Sequence, residues 1–249
     1  MHREKKTSLG SWITLAHPAI AEIMLNAGFE WVVVDLEHSV ITIREAEELI
    51  RIISLSRAKP YVRLTANDPQ QINRVMDAGA QGIIVPMIKS LKDIQKAAQA
   101  MFYPPKGTRG VGLARAQGYG TNFESYLKKH VTFDLIAQIE HIEAVKNLEK
   151  ILSFPDLHGY IVGPYDLSGS MGIPGNFEHK DFQDALNQIK HVSKKYNHIK
   201  RGIHLVEPNV NQLKKLINDE YDLIAYSLDT RILDVGLRLG ITQFKELTK

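Results

Sequence analysis

Four short stretches of the chain carry side chains that could act together: Asp35-Leu36-Glu37-His38, Arg63, Gln138-Ile139-Glu140, and the run from Gly163 through Tyr165 and Asp166 to Ser168. Gln138 and Glu140 are two residues apart in an apolar, β-branched segment, so both face one side of a strand and Ile139 faces the other. A carboxylate pointing into a strand-lined interior is costly unless it is paired or holds a cation. Glu140 is therefore either a metal ligand or the partner of Arg63 in a structural ion pair. Asp166 taken alone would read as a helix N-cap. Together with Glu140 on an adjacent strand, it is better explained by a shared cation.

The chain has no cysteine, so disulfides, thiolate metal sites and a Cys nucleophile are excluded. Two carboxylates offer hard oxygen donors, which suit Mg²⁺ or Mn²⁺, with Co²⁺ also admissible. So few protein ligands leave most of an octahedron for water and substrate. A 2-oxo acid, presenting a carboxylate and a keto oxygen, fits those positions. Such an ion would polarise the keto group and stabilise an enolate, and Arg63 would supply fixed positive charge at the same oxygen. His38, beside the acids, is the candidate general base. Imine chemistry would need a lysine at a strand end inside the fold. Lys89 falls on a loop and Lys59 at the wrong end of its strand, which disfavours that route. His204 and Trp31 read as packing residues.

These residues need a scaffold that brings strand ends together. Short apolar runs at 11–16, 31–36, 60–65, 82–87, 133–140, 159–164, 201–206 and 222–228 alternate with segments of helical period at 18–27, 43–55, 69–78, 91–101, 142–152, 181–196 and 210–218. Pro69 after Asp68 and Pro208 after Glu207 mark helix starts, and Gly28 and Gly79 mark left-handed caps. Eight such units in 249 residues predict an α/β fold, a (β/α)8 barrel forming one domain over residues 1–249. Active sites of such barrels lie at the C-terminal ends of the strands, where all four stretches fall. The connection 102–132 is far longer than usual and glycine-rich, as lids and assembly elements are. Its Gly107-Thr-Arg-Gly-Val-Gly112 string lacks the preceding strand and the Gly-Lys-Ser/Thr of a phosphate loop.

Composition narrows the partners. Lys+Arg of 31 against Asp+Glu of 28 gives a net charge of +3, with both signs dispersed. That disfavours nucleic acid, and the basic stretches at 3–6 and 194–200 read as solvated. No apolar run approaches a membrane span and no signal-like segment opens the chain. The expectation is a cytoplasmic protein whose partner is a small molecule.

Taken in order, Trp31-Val-Val-Val-Asp-Leu-Glu-His38, Pro60-Tyr-Val-Arg63, Asp77-Ala-Gly-Ala-Gln81, Tyr103-Pro-Pro-Lys-Gly-Thr-Arg-Gly110, Gln138-Ile-Glu140 and Gly163-Pro-Tyr-Asp-Leu-Ser168 resemble the HpcH/HpaI family of class II, metal-dependent pyruvate aldolases over residues 8–240. The type member of that family cleaves 4-hydroxy-2-oxoheptanedioate. The resemblance implies Glu140 and Asp166 as metal ligands, His38 as base and Arg63 as stabiliser of the transition state. It implies pyruvate contacts from Gln138 and from the backbone at Tyr165 and Asp166, and Asp77 as an acid that raises the basicity of the histidine. Tyr165 stands where many relatives carry alanine. The resemblance also implies a homohexamer in which the C-terminal helix packs on a neighbouring subunit. The expected reaction is reversible cleavage of a 4-hydroxy-2-oxo acid to pyruvate and an aldehyde through a metal-held pyruvate enolate. The alternatives are a citrate-lyase-like acyl-CoA lyase on the same barrel and a non-catalytic barrel that binds a 2-oxo acid.

Overall fold

The computed structural model describes residues 7–129 and 132–248; the basic stretch at 3–6 and residues 130 and 131 of the long connection lie outside them. Eight parallel strands follow one another around a closed barrel: β1 (Ser8–Ile13), β2 (Trp31–Asp35), β3 (Lys59–Arg63), β4 (Gly82–Val85), β5 (Asp134–Ile139), β6 (Gly159–Val162), β7 (Lys200–Leu205) and β8 (Leu223–Leu228), which pairs back to β1. Outside run α1 (Pro18–Ala27), α2 (Ile43–Ile53), α3 (Pro69–Ala78), α4 (Leu91–Met101), α5 (Phe123–Lys129), α6 (Ile142–Lys146), α7 (Leu148–Leu152), α8 (Pro164–Ser170), α9 (Lys180–Ser193), α10 (Val210–Asn218) and α11 (Asp229–Leu247). Gly28 and Gly79 cap α1 and α3 at φ 97° and 104°, a conformation costly for any residue with a Cβ.

Side-chain alternation sorts each strand into two layers. Val32, Val34, Val62, Ile83, Val85, Leu135, Ala137, Ile139 and Val162 pack outward against the helices, while Trp12, Trp31, Val33, Tyr61, Ile84, Ile136 and Ile161 fill the lumen. Continuing that parity toward the C-terminal ends puts Asp35, Arg63, Gln138 and Glu140 inside. The lower lumen is closed by Trp31, which lies where Gly10 leaves room: a Cβ there would sit 2.0 Å from the indole.

Several boundaries differ from the sequence reading. β1 begins at Ser8, three residues earlier than expected, because its pairing starts with Leu223 of β8. The expected helix 142–152 is broken at Asn147, whose side chain donates to the Lys89 carbonyl at 3.0 Å. α10 is capped by Asn209 rather than started at Pro208. The run after β6, for which the sequence reading sets out no helix, forms α8; its N-cap is Gly163, so Asp166, which alone reads as an N-cap, belongs to its first turn.

The described part of the connection 102–132 is anchored away from its own barrel mouth. Its Arg109 is buried between Tyr103 and Tyr126 and binds Asp77 at 2.5 Å, and Arg115 donates to the Ala78 carbonyl at 2.8 Å. Both anchors lie at the C-terminal end of α3, which is the barrel face where strands begin. Gly107 is packed against the Phe102 and Gln99 carbonyls, with no open cradle for a phosphate.

That same face carries a buried ionic cluster. Asp134 accepts from Lys59 Nζ at 2.7 Å and Tyr61 Oη at 2.5 Å, and pairs with His158 Nδ1 at 2.9 Å. Burial alone would raise this carboxyl, but His158, Lys59 and Tyr61 together hold it below its ordinary range. A depressed carboxylate pKa contributes stability above the unfolded value of about 4 and loses it as pH falls. Asp134→Asn should therefore cost about 2 kcal/mol in urea unfolding at pH 7. The gap to the wild type should narrow progressively as pH falls below about 4, whereas a gap constant with pH would deny the ionic contribution.

Candidate active site

At the opposite face, a cavity of about 290 Å³ is lined by, among others, Trp12, Asp35, His38, Arg63, Gln138 and Asp166. Its framework is set by strand register. Asp35 and Arg63 are paired residues of β2 and β3, both facing the lumen. The guanidinium grips the carboxylate twice, Nε to Oδ1 at 2.8 Å and Nη2 to Oδ2 at 2.5 Å, and rests 4.3 Å from the Trp12 ring. Asp35 is 1% exposed and Arg63 7%. Bidentate geometry fixes the arginine's plane. The Nη1 donors are not used by Asp35.

Asp35 also shapes the turn that carries the histidine. Its Oδ1 accepts from the Glu37 amide at 3.0 Å and the His38 amide at 3.3 Å, and its carbonyl accepts from Ser39 Oγ. His38 is thereby held at the rim with its side chain 62% exposed and Nε2 3.9 Å from Glu37 Oε2. Glu37 lies 3.4 Å from Arg63 Nε. Burial, with the neighbouring acids Asp35 and Asp166 adding and Arg63 opposing, pushes its carboxyl up to about 7.

Glu140 continues β5 inward and is 2% exposed. Its Oε1 accepts the Met87 amide at 2.6 Å and its Oε2 accepts the Gln138 side-chain amide. Met87 adopts φ 53°, an uncommon left-handed conformation for a non-glycine residue, which turns its N–H to the carboxylate. Burial, reinforced by Glu37 and Asp166, pushes Glu140 up to about 7. The ion pair between Glu140 and Arg63 that the sequence leaves open does not form: Arg63 is taken by Asp35 and Glu37.

Three observations make this a fitting place for a divalent cation. Glu37 and Glu140 are both pushed up by burial, with the nearby Asp166 charge adding to each, and a cation would relieve that cost. Glu37 Oε2 and Gln138 Oε1 are buried without a hydrogen-bond partner. A Cβ at Gly163 would lie 3.1 Å from Glu140 Oε2, so the glycine leaves space beside that oxygen. Among the described residues no group of three or more His, Asp and Glu side chains is arranged to hold a metal. The donors on offer are the pair the sequence suggests, Glu140 from the end of β5 and Asp166 from the first turn of α8.

Tyr165, 47% exposed, lines the same cavity and stacks edge-on to Phe177 at 4.9 Å, while its carbonyl accepts from Ser168 Oγ at 2.8 Å. Asp77 does not join this group within the chain. It stands on the last turn of α3, at the other barrel face, in its bond to Arg109. Sequence reasoning counts Asp35 among the rim residues without giving it a task, assigns nothing to Trp12 or Thr14, and reads His204 as packing. Thr14 is fixed by Asp229, which accepts its amide at 2.8 Å and its hydroxyl at 2.6 Å. The parity of Asp35 with Val33 is the one available signal for the first of these. Lys59, disfavoured as an imine lysine, lies at the far face in its bond to Asp134.

Comparison with known proteins identifies the family. A sequence model of the HpcH/HpaI aldolase/citrate lyase family matches residues 8–233. A 4-hydroxy-2-oxo-heptane-1,7-dioate aldolase of Escherichia coli is 36% identical over 185 residues, covering 74% of this chain and 71% of the relative. The protein of the same name from Klebsiella pneumoniae is 35% identical over 245 residues, covering 96% and 90%. Among solved structures, an HpcH/HpaI aldolase/citrate lyase family protein from Burkholderia cenocepacia superposes with a TM-score of 0.91 at 27% identity, covering 97% of this chain and 95% of that one. With a family match over most of its length and relatives of this similarity, the chain belongs to the HpcH/HpaI aldolase/citrate lyase family.

Proposed function

We propose that the protein is a class II aldolase, a carbon–carbon lyase that reversibly cleaves a 4-hydroxy-2-oxo acid into pyruvate and an aldehyde. The observation that carries this reading is the buried Glu140 within electrostatic reach of Asp166 and of an arginine immobilised by Asp35. The names of the Escherichia coli and Klebsiella relatives support the reaction class.

Glu140 and Asp166 would hold a divalent ion, Mg²⁺ or Mn²⁺, whose chemistry is to polarise a keto oxygen. Arg63, its Nε and Nη2 held by Asp35, directs its Nη1 donors at that oxygen and stabilises the negative charge that develops there. Gln138 and the backbone at Tyr165 and Asp166 bind the oxo acid. His38 takes the proton from the C4 hydroxyl; the electron pair of the C3–C4 bond moves into C2–C3, the aldehyde carbonyl forms, and pyruvate enolate remains. Protonation at C3 yields pyruvate.

Pyruvate alone tests this without knowledge of the aldehyde. Its methyl protons should exchange with D₂O in the presence of Mn²⁺ or Mg²⁺, and EDTA should stop the exchange; absence of exchange with either metal rejects the aldolase reading.

We also propose that α11 docks on a second copy of the chain. Only Asp229 of this helix is buried, while Leu233, Leu237, Ile241 and Phe244 form an exposed apolar stripe at helical spacing. Phe244→Asp should lower the assembly mass seen by sedimentation velocity; an unchanged mass would exclude α11 from the interface. No helix among the described residues is long and apolar enough to cross a membrane.

A further inference from the structure

His204 lies in β7 between Ile203 and Leu205, which pack outward, so its imidazole turns into the lumen. There it lines the cavity that holds Arg63, Gln138 and Asp166. Three supports fix the ring. It packs against Trp12 with ring centroids 5.2 Å apart and planes tilted by 46°. Its Nε2 is 3.3 Å from the Ser227 carbonyl. Ser227, in turn, is held at φ 53° with its hydroxyl donating to the Val206 carbonyl at 2.8 Å. A carbonyl can only accept, so Nε2 carries the proton.

Burial and the nearby Arg63 charge push the pKa of His204 down to about 3, so the ring is neutral at physiological pH. A neutral ring protonated on Nε2 leaves Nδ1 as an acceptor. Among the described residues Nδ1 has no hydrogen-bond partner. The imidazole is too weak a base for the proton transfer assigned to His38, and the mechanism leaves it without a task. Arg63 and His204 both rest on the Trp12 ring. The acceptor therefore shares the Trp12 ring with the guanidinium proposed to bind the keto oxygen.

We infer that His204 is a specificity-determining residue, accepting at Nδ1 a hydrogen bond from a hydroxyl on the carbon next to a reacting carbonyl, so that the site prefers an α-hydroxylated reactant. The inference rests on the aldolase reading for the identity of the reactants. The hydroxyl can belong to the oxo acid or to the aldehyde, and two measurements on the Mn²⁺-loaded full chain separate these sources. One compares binding of hydroxypyruvate and pyruvate by calorimetry. The other compares rates of pyruvate addition to glycolaldehyde and to acetaldehyde. In one of the two the wild type should favour the hydroxylated compound by about tenfold, the worth of one hydrogen bond to a buried acceptor.

His204→Leu should abolish that preference while leaving pyruvate binding unchanged, and His204→Asn, whose amide oxygen can stand near the Nδ1 position, should restore much of it. Should the leucine variant not fold, His204→Met serves as the apolar replacement. Preference ratios that are the same in wild type and apolar variant, in both measurements, overturn the inference. If no carbon–carbon bond forms with either aldehyde the aldolase reading fails, and the binding measurement alone then decides the role of His204.

Discussion

Replacing Arg63 by lysine is expected to lower kcat by about a hundredfold or more while the barrel still folds. Lysine keeps a positive charge in the lumen but offers a single compact ammonium, whereas the reaction as proposed needs a planar fork that binds Asp35 with two donors and spares others for the keto oxygen. The alanine variant is a poorer test. Asp35 is 1% exposed, and removing its partner leaves a buried carboxylate uncompensated, which costs on the order of 3 kcal/mol. Arg63→Ala should therefore lose stability as well as rate. Steady-state rates of pyruvate addition to an aldehyde, read beside thermal melts of both variants, separate the two effects. A near-normal kcat in the lysine variant would remove the guanidinium fork from the mechanism.

The contrast between those variants shows where sequence reading stops. Parity along a strand is a local property, so the order of residues suffices to place Gln138 and Glu140 on one face and to count the eight strands. Register between strands is not local. That Asp35 lies opposite Arg63, and so claims the arginine that Glu140 is a candidate to bind, follows from how β2 and β3 align. His204 reads as packing because a lone histidine in an apolar strand usually is; only closure of the barrel brings Ser227 to one ring nitrogen and the cavity to the other side. α8 is hidden for a different reason: Pro164 and the glycines around Asp166 suppress helix propensity, yet a proline in the first turn and Gly163 as N-cap are compatible with a helix start. Asp77 enters the site by resemblance alone, and the chain's own contacts give it to Arg109 at the other face.

Glu140→Gln is expected to abolish metal-dependent exchange of the pyruvate methyl protons, with a loss of about a hundredfold or more, while the fold is kept. Glutamine matches glutamate in shape and retains an oxygen to accept the Met87 amide, so the turn at the end of β4 keeps its hydrogen bond. It also removes one of three acids that crowd one another, and the apo protein should become somewhat more stable, since desolvating that charge is what raises the Glu140 pKa to about 7. Loss of function with gain of stability is the signature of a residue retained for a ligand. A merely structural glutamate would show the reverse, a destabilised variant with exchange intact. Calorimetric titration with Mn²⁺ completes the test: the wild type should bind and the variant should bind at least about tenfold more weakly. Equal affinity in both would move the ion away from Glu140, and with it the reason that oxygen, amide and guanidinium converge at this end of the barrel.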